Sequence, residues 1–179
     1  MTAQSINPSV IYTGLITGAP DSLPDFDLKF SSFQARRVSG RPSYLSMVIP
    51  NGFDSITEIS NRPNGELVIN MLVSESGVLN SYEIMRANYE TLRGDQGSEK
   101  YSLTLTGHKQ VTYSTPKTVT LEGSTYRSTV DGKIRHRSVP DKELNPLDTA
   151  NINGESFVVG EIVLAVGASF QTMEIVENG

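Results

Sequence analysis

The chain has 179 residues, no cysteine, and 20 acidic against 15 basic side chains, for a formal charge of −5. Its length fits one domain or two small ones, and a single domain of this size buries roughly 68–75% of its unfolded surface. The composition excludes disulfides and thiolate metal sites, an overall basic footprint for nucleic acid and a disordered chain.

The start lacks a basic segment followed by an apolar one, so no signal peptide is expected. No apolar run approaches the ~20 residues that span a bilayer. The longest, FVVGEIVLAVG, is interrupted by glycines and Glu161. Zero cysteine fits a reducing cytosol or a particle assembled there.

Period-two alternation, the mark of half-buried strands, dominates the chain. In SVIYTGLIT, Val10, Tyr12 and Leu15 do not share one register, so the first strand has blurred faces. In FDLKFSSFQARR, Phe26, Leu28 and Phe30 share a face while Asp27 and Lys29 point away. Phe33 breaks that register, which predicts a bulge or bend near Ser31-Ser32. In SYLSMVIP, Leu45, Met47 and Ile49 share a face and Pro50 ends the run; Val48 predicts burial on both sides near its end.

ISNRPNGELVINM follows. Pro63 pre-sets a turn, and Asn64-Gly65 tolerates positive φ between two β-forming runs. The expected element is a hairpin with strands near 54–60 and 66–73 and Pro63, Asn64 and Gly65 in its turn. Residues 81–93 read two ways. Tyr82, Met85, Tyr89 and Leu92 recur at helical spacing. The stretch also fits a strand, 84–93, paired with 100–108 through a turn at RGDQG that holds Gly94, Asp95 and Gly97. Beyond Pro116, KTVTLEG, STYRSTV and GKIRHRSV read as short strands, the last two separated by Asp131-Gly132. A polar loop, PDKELNPLDTANING, leads to two closing strands, SFVVGEIVLAVG and SFQTMEIVE. Short strands at even spacing predict an all-β sandwich or barrel. A boundary near 113–118 divides the chain into 1–114 and 115–179, with no flexible linker and no internal repeat.

No catalytic or metal-binding residue, and no cofactor site, is predicted. His108 and His136 have no partner at ligand spacing, so both read as solvated or interface histidines. No serine lies in a G-x-S-x-G elbow, and GAPDS lacks the phosphate-loop frame. Asp21, Asp25 and Asp27 do not match a calcium loop and read as a solvated approach to a strand. Arg93-Gly94-Asp95 spells an adhesion tripeptide, which a turn glycine explains equally. In KIRHR, Lys133, Arg135 and Arg137 point one way from a strand, with Ile134 and His136 on the other side. That cation stripe marks a candidate subunit contact.

The order of these pieces resembles a tail-tip protein of long-tailed bacteriophages. GLITGAPDSLPDFDLKFSSFQARRVSGRPSYLSMVIPN looks like the opening of that family. ISNRPNGELVI and RGDQGSEKYSLTLTGHK look like its hairpins, and NPLDTANINGESFVVGEIVLAVGASFQTMEIVE like its close. The match covers most of residues 11–177. One departure is Asn145-Pro146-Leu147-Asp148, where the family has a PGD-type turn and Leu147 replaces the glycine. The resemblance favours a strand over 81–93. It implies a tail-tube-like β-sandwich or barrel with a small C-terminal β-barrel-like part, packed as one domain or two. It also implies a non-enzymatic virion protein of the distal tail or baseplate hub. That protein would form a trimeric or hexameric ring, touch tube and tip or fibre proteins, pass DNA as cargo, and use no membrane. The alternative is a carbohydrate- or receptor-binding β-module, for which the seven tyrosines would supply stacking faces in the absence of tryptophan.

Overall fold

A computed structural model describes residues 10–18, 22–96, 101–113 and 115–179, with the side chains of 91, 95, 96 and 101 excepted. Among these residues the regular structure is strand, apart from one short helix. The elements are β1 (Ile11–Ile16), β2 (Phe26–Leu28), β3 (Ser32–Val38), β4 (Ser43–Pro50), α1 (Phe53–Ser60), β5 (Glu66–Glu75), β6 (Val78–Gln96) and β7 (Tyr101–Lys109). The second part holds β8 (Thr118–Leu121), β9 (Tyr126–Val130), β10 (Lys133–Ser138), β11 (Thr149–Ile152), β12 (Glu155–Gly167) and β13 (Phe170–Glu177). One antiparallel path runs β2-β1-β5-β6-β7-β4-β3-β12-β13-β10-β9, and β11 hangs from β12 with β8 parallel to it.

The alternation read from the sequence is the core. Leu45, Met47 and Ile49 of β4 are buried, beside Phe33 and Ala35 of β3 and Leu103 and Leu105 of β7. The sheet curls so that β1 faces its own middle. Tyr12 meets Phe33 edge-on at 5.2 Å, and Gly14 leaves room for Phe30 and Met47. Ile152, Ile162 and Ile175 extend the same apolar cluster into the C-terminal strands.

Three hairpins use one device. Ser76-Gly77, Asp131-Gly132 and Asn153-Gly154 each place two consecutive residues at positive φ between paired strands. Such a loop matches the right-handed twist of the flanking strands. The turn at Asn145–Asp148 closes through the Asp148 amide donating to the Asn145 carbonyl at 3.2 Å. Leu147 takes φ 77° there, the position where this turn type favours glycine. The tight turn thus persists with a leucine in a costly conformation.

The fold corrects three expectations and bears out a fourth. Residues 54–60 are not a strand but lie in α1: Ile56 and Ile59 are three apart, a helical spacing, and Ile59 is fully buried while Ile56 packs beside the core. Pro63, Asn64 and Gly65 therefore join a helix to β5 and close no hairpin. The bend expected near Ser31-Ser32 is present at Ser31, where it separates β2, which pairs with β1, from β3, which crosses to β4 and β12. Gly94 and Asp95 do not turn the chain but pair with Leu103 and Ser102. The RGDQG hairpin itself is present as β6–β7, and Gly97 lies outside the described residues. The last polar loop ends in β11, whose parallel pairing with β8 supplies the hydrogen bonds that local sequence did not promise.

Residues 81–93 are strand, and β6 explains their helical look. Its register shifts at Ile84, between the Ile69–Met85 and Asn70–Glu83 pairs, and again at Glu90, between Tyr89–Gly107 and Thr91–Thr106. Each bulge adds one residue without changing face. Steps of two thus become steps of three, and Tyr82, Met85, Tyr89 and Leu92 all meet the core.

Gly65 sits where no side chain fits: an added Cβ would lie 2.6 Å from the Thr17 carbonyl oxygen and 2.8 Å from Ile16 Cγ1. Gly65→Val should cost at least about 1–3 kcal/mol through overpacking. Urea denaturation followed by circular dichroism reads the cost, and an unchanged midpoint would contradict this account of the turn.

Candidate assembly surface

The cation stripe lies at one end of the sheet path, on the β9–β10 hairpin. Lys133, Arg135 and Arg137 alternate along β10 as expected, and among the described residues no strand pairs with the far side of β9. The chain partly neutralises the stripe itself. Glu174, opposite Arg137 on β13, accepts a hydrogen bond from Arg135 Nη1 at 3.2 Å and stands 3.7 Å from Arg137 Nη2. The Arg137 guanidinium also rests over the Tyr126 ring at 5.6 Å. Arg135 Nε is buried with no partner. Tyr126 and Val130 of the edge strand are exposed. The surface on offer is therefore an open strand edge with two apolar side chains and a half-neutralised row of cations.

The opposite face of β10 corrects the reading of His136, which is 1% exposed. Its ring stacks on Phe157 at 5.6 Å. Nδ1 meets Ser124 Oγ at 3.1 Å and Nε2 meets Glu155 Oε2 at 2.9 Å. Arg127 clamps the same carboxylate with two bonds of 2.7 Å. A serine, a histidine and a carboxylate in series resemble a nucleophilic triad. Here, however, the Ser124 hydroxyl donates to the Tyr126 carbonyl at 2.9 Å, so its proton is directed away from the imidazole. The series fastens β9 and β10 onto the start of β12. The alternation in KIRHR already put His136 opposite the cations; what it lacked was the partner strand that covers that face. His108 is half exposed, 2.6 Å from Glu90, the bulge residue of β6.

The NRPNG connection is pinned from beneath by Arg62, which the sequence reading passed over. Arg62 is buried and donates through Nε and Nη2 to the Pro24 carbonyl at 3.1 and 2.8 Å. Its Nη1 reaches the Glu58 carbonyl at 2.6 Å and the Glu58 carboxylate at 2.7 Å. In the acidic stretch, Asp25 accepts the Gly18 amide at 3.0 Å, a structural role, and Asp21 lies outside the described residues. Among the described residues, no group of three or more His, Asp or Glu could hold a metal ion, and no helix is long and apolar enough to cross a membrane.

The Arg127 guanidinium, with His136, holds the Glu155 carboxyl down to about 2 from an ordinary 4.5. A depressed folded-state value means that this carboxylate stabilises the fold above about pH 4.5 and loses that contribution as the pH falls toward 2. Glu155→Gln should therefore be less stable than the parent at pH 6, and the gap should narrow steadily below pH 4.5 in urea titrations. A gap that stays constant with pH would refute the clamp.

No family model matches the sequence, and no curated protein matches it. The fold, by contrast, is shared with solved structures. A tail protein from Neisseria meningitidis MC58 superposes with a TM-score of 0.59 over 94% of this chain and 96% of its own, at 6% identity. The 43 kDa tail protein of prophage MuSo2 from Shewanella oneidensis gives 0.62 over 95% and 97%, at 4% identity. The E. coli c3393 protein gives 0.58 over 93% and 77%, at 6% identity; it is described as a component of the type VI secretion system similar in structure to the T4 bacteriophage tail proteins gp27 and gp5. At these identities the shared property is the fold, and the chain has the fold of phage tail proteins.

Proposed function

We propose that this chain is a structural virion protein that forms a ring at the distal end of a phage tail, extends the tail tube and connects it to tip or fibre proteins. The observation that carries the reading is the fold shared with a tail protein from Neisseria meningitidis and a prophage tail protein, over 94% and 95% of the chain. In this reading residues 1–114 form the tube-like part and 115–179 the small β-rich part.

Two physical features support a ring. Among the described residues the sheet path ends at β2 and at β9, each paired on one side only. Open strand edges invite pairing with another chain. Head-to-tail contacts around a closed symmetric ring satisfy both kinds of edge at once. The second feature is the acidic balance of −5, which suits a conduit that must not retain the DNA passing through it. Such a protein assembles in the host cytoplasm and resides in the virion tail.

Native mass spectrometry and negative-stain electron microscopy should show a trimer or hexamer, alone or with neighbouring tail proteins. Arg137→Ala removes one stripe cation from an exposed pair, a change expected to cost the fold no more than about 1 kcal/mol, and it should lower ring yield. A strictly monomeric protein absent from purified virions would overturn the reading. Normal rings in the variant would remove the stripe from the interface.

A further inference from the structure

The alternation of β3 places Arg37 on the same inward face as Phe33 and Ala35, and Arg37 is 6% exposed. A desolvated guanidinium is costly unless a carboxylate meets it. The other buried arginine, Arg62, has the Glu58 carboxylate at 2.7 Å. Arg37 makes a single side-chain hydrogen bond, from Nη1 to the neutral Asn145 amide oxygen at 3.1 Å. Burial pulls its pKa down, while Tyr113, Asp141 and Asp148 act the other way through space. Neither aspartate hydrogen-bonds to it. Asp141 Oδ1 accepts the Glu143 and Leu144 amides, both at 2.8 Å. Asp148 accepts the Lys117 amide at 3.0 Å and the Asn145 amide at 2.8 Å.

Arg37 forms part of the wall of a pocket of about 310 Å3, between β3, the bulge of β6 and the segments that follow β7 and β10. Arg86, Lys109 and Lys142 line the same space, against Glu83 as its one acid. The chemistry of the empty positions on Arg37 is specific. With Nη1 engaged by Asn145, the remaining Nε–Nη2 edge presents two parallel N–H groups, the fork that receives both oxygens of a carboxylate. The other lining cations already hold carboxylates, Arg86 and Lys109 on Glu66 and Lys142 on Glu75, so Arg37 is the lining cation with no carboxylate hydrogen-bonded to it.

We propose that this pocket binds one carboxylate group, with Arg37 as its buried anchor. The carboxylate comes either from a free small acid or from an acidic side chain of an adjoining subunit, and the chemistry recognised is the same.

Arginine side-chain NMR on the ¹⁵N-labelled wild-type protein tests this. Propionate, which mimics a glutamate side chain, is titrated at constant ionic strength with propionamide and chloride as controls. Arg37→Met assigns the Nε–H resonance and removes the site. Arg37→Lys keeps the charge without the fork and should bind at least tenfold more weakly. A saturable shift of Arg37 with propionate alone supports a free-acid site. A resonance silent to propionate that shifts on assembly, with Arg37→Met assembling at least tenfold more weakly, supports a neighbour's side chain. Only that second arm rests on the ring reading; the first stands if rings never form. A resonance unmoved in both experiments, or moved equally by chloride, overturns the proposal, and side-chain-to-backbone correlations in the wild-type protein supply the assignment if Arg37→Met does not fold.

Discussion

The structure depends on how one strand is shared. β12 pairs with β11 along Glu155–Val158 and with β3 along Glu161–Val166, while β13 runs beside it from Val159 to Gly167. The register slips between Val159 and Glu161. Gly160 stands at the slip because an added Cβ would lie 2.8 Å from Asn178 Cα, where the chain end crosses. Among the described residues, the β3–β12 ladder is the one strand pairing that joins residues before 114 to those after 115. The first half therefore adds its sheet to a strand whose position the second half has set. Arg36 and Glu161 reinforce that ladder with a two-bond pair at 2.7 and 2.9 Å. That pair is half exposed, so the backbone ladder and the buried Ile162 and Leu164 supply most of the hold.

Polar groups do a second kind of work, by fixing which loops lie where. Hydrophobic burial is non-directional, and a curled sheet could slide its loops over an apolar core at little cost. Buried polar groups forbid that, because each displaced group loses its partner in a low-dielectric interior. Arg62 ties α1 to the Pro24 segment, His136 ties the β9–β10 hairpin to β12, and Asp148 ties the turn after β10 to the chain before β8. The Asp148 contact also accounts for Leu147. Its strained φ persists because the turn around it is held at both ends, by the Asp148 carboxylate on the Asn145 amide and by the Leu147 amide on the Val159 carbonyl at 2.7 Å.

Much of this was legible in the sequence, and what was not has identifiable causes. Period two located β2, β4, β7, β10 and β13, since one buried face forces alternation. The Asp131-Gly132 hairpin was legible because its turn chemistry is local. Difficulty arose where period and partner disagreed. Two bulges in β6 gave strand residues a helical spacing and left 81–93 open between the two, while beyond α1 an Asn-Gly pair beside β-formers hid two isoleucines three apart. Bulges and helix ends are set by what the neighbouring strand needs, which one chain segment does not encode. The roles of His136, Arg62 and Arg37 were illegible for the same reason. Each is a polar residue on a buried face, and its partner lies 19, 38 or 108 residues away.

Edge pairing alone would make a poor assembly code. Backbone ladders accept almost any strand, so an open β9 would as readily aggregate as join the correct neighbour. Discrimination has to come from side chains whose pairing fails with the wrong partner. The stripe would supply little of it, because Glu174 already accepts from Arg135 Nη1 and stands beside Arg137. Under the carboxylate proposal Arg37 would supply more: a buried fork with free donors loses far more from a missing partner than an exposed lysine does. If a neighbour's acid enters that pocket, register and identity are checked together, since only a carboxylate at the correct height along the strands can reach Nε and Nη2 at once.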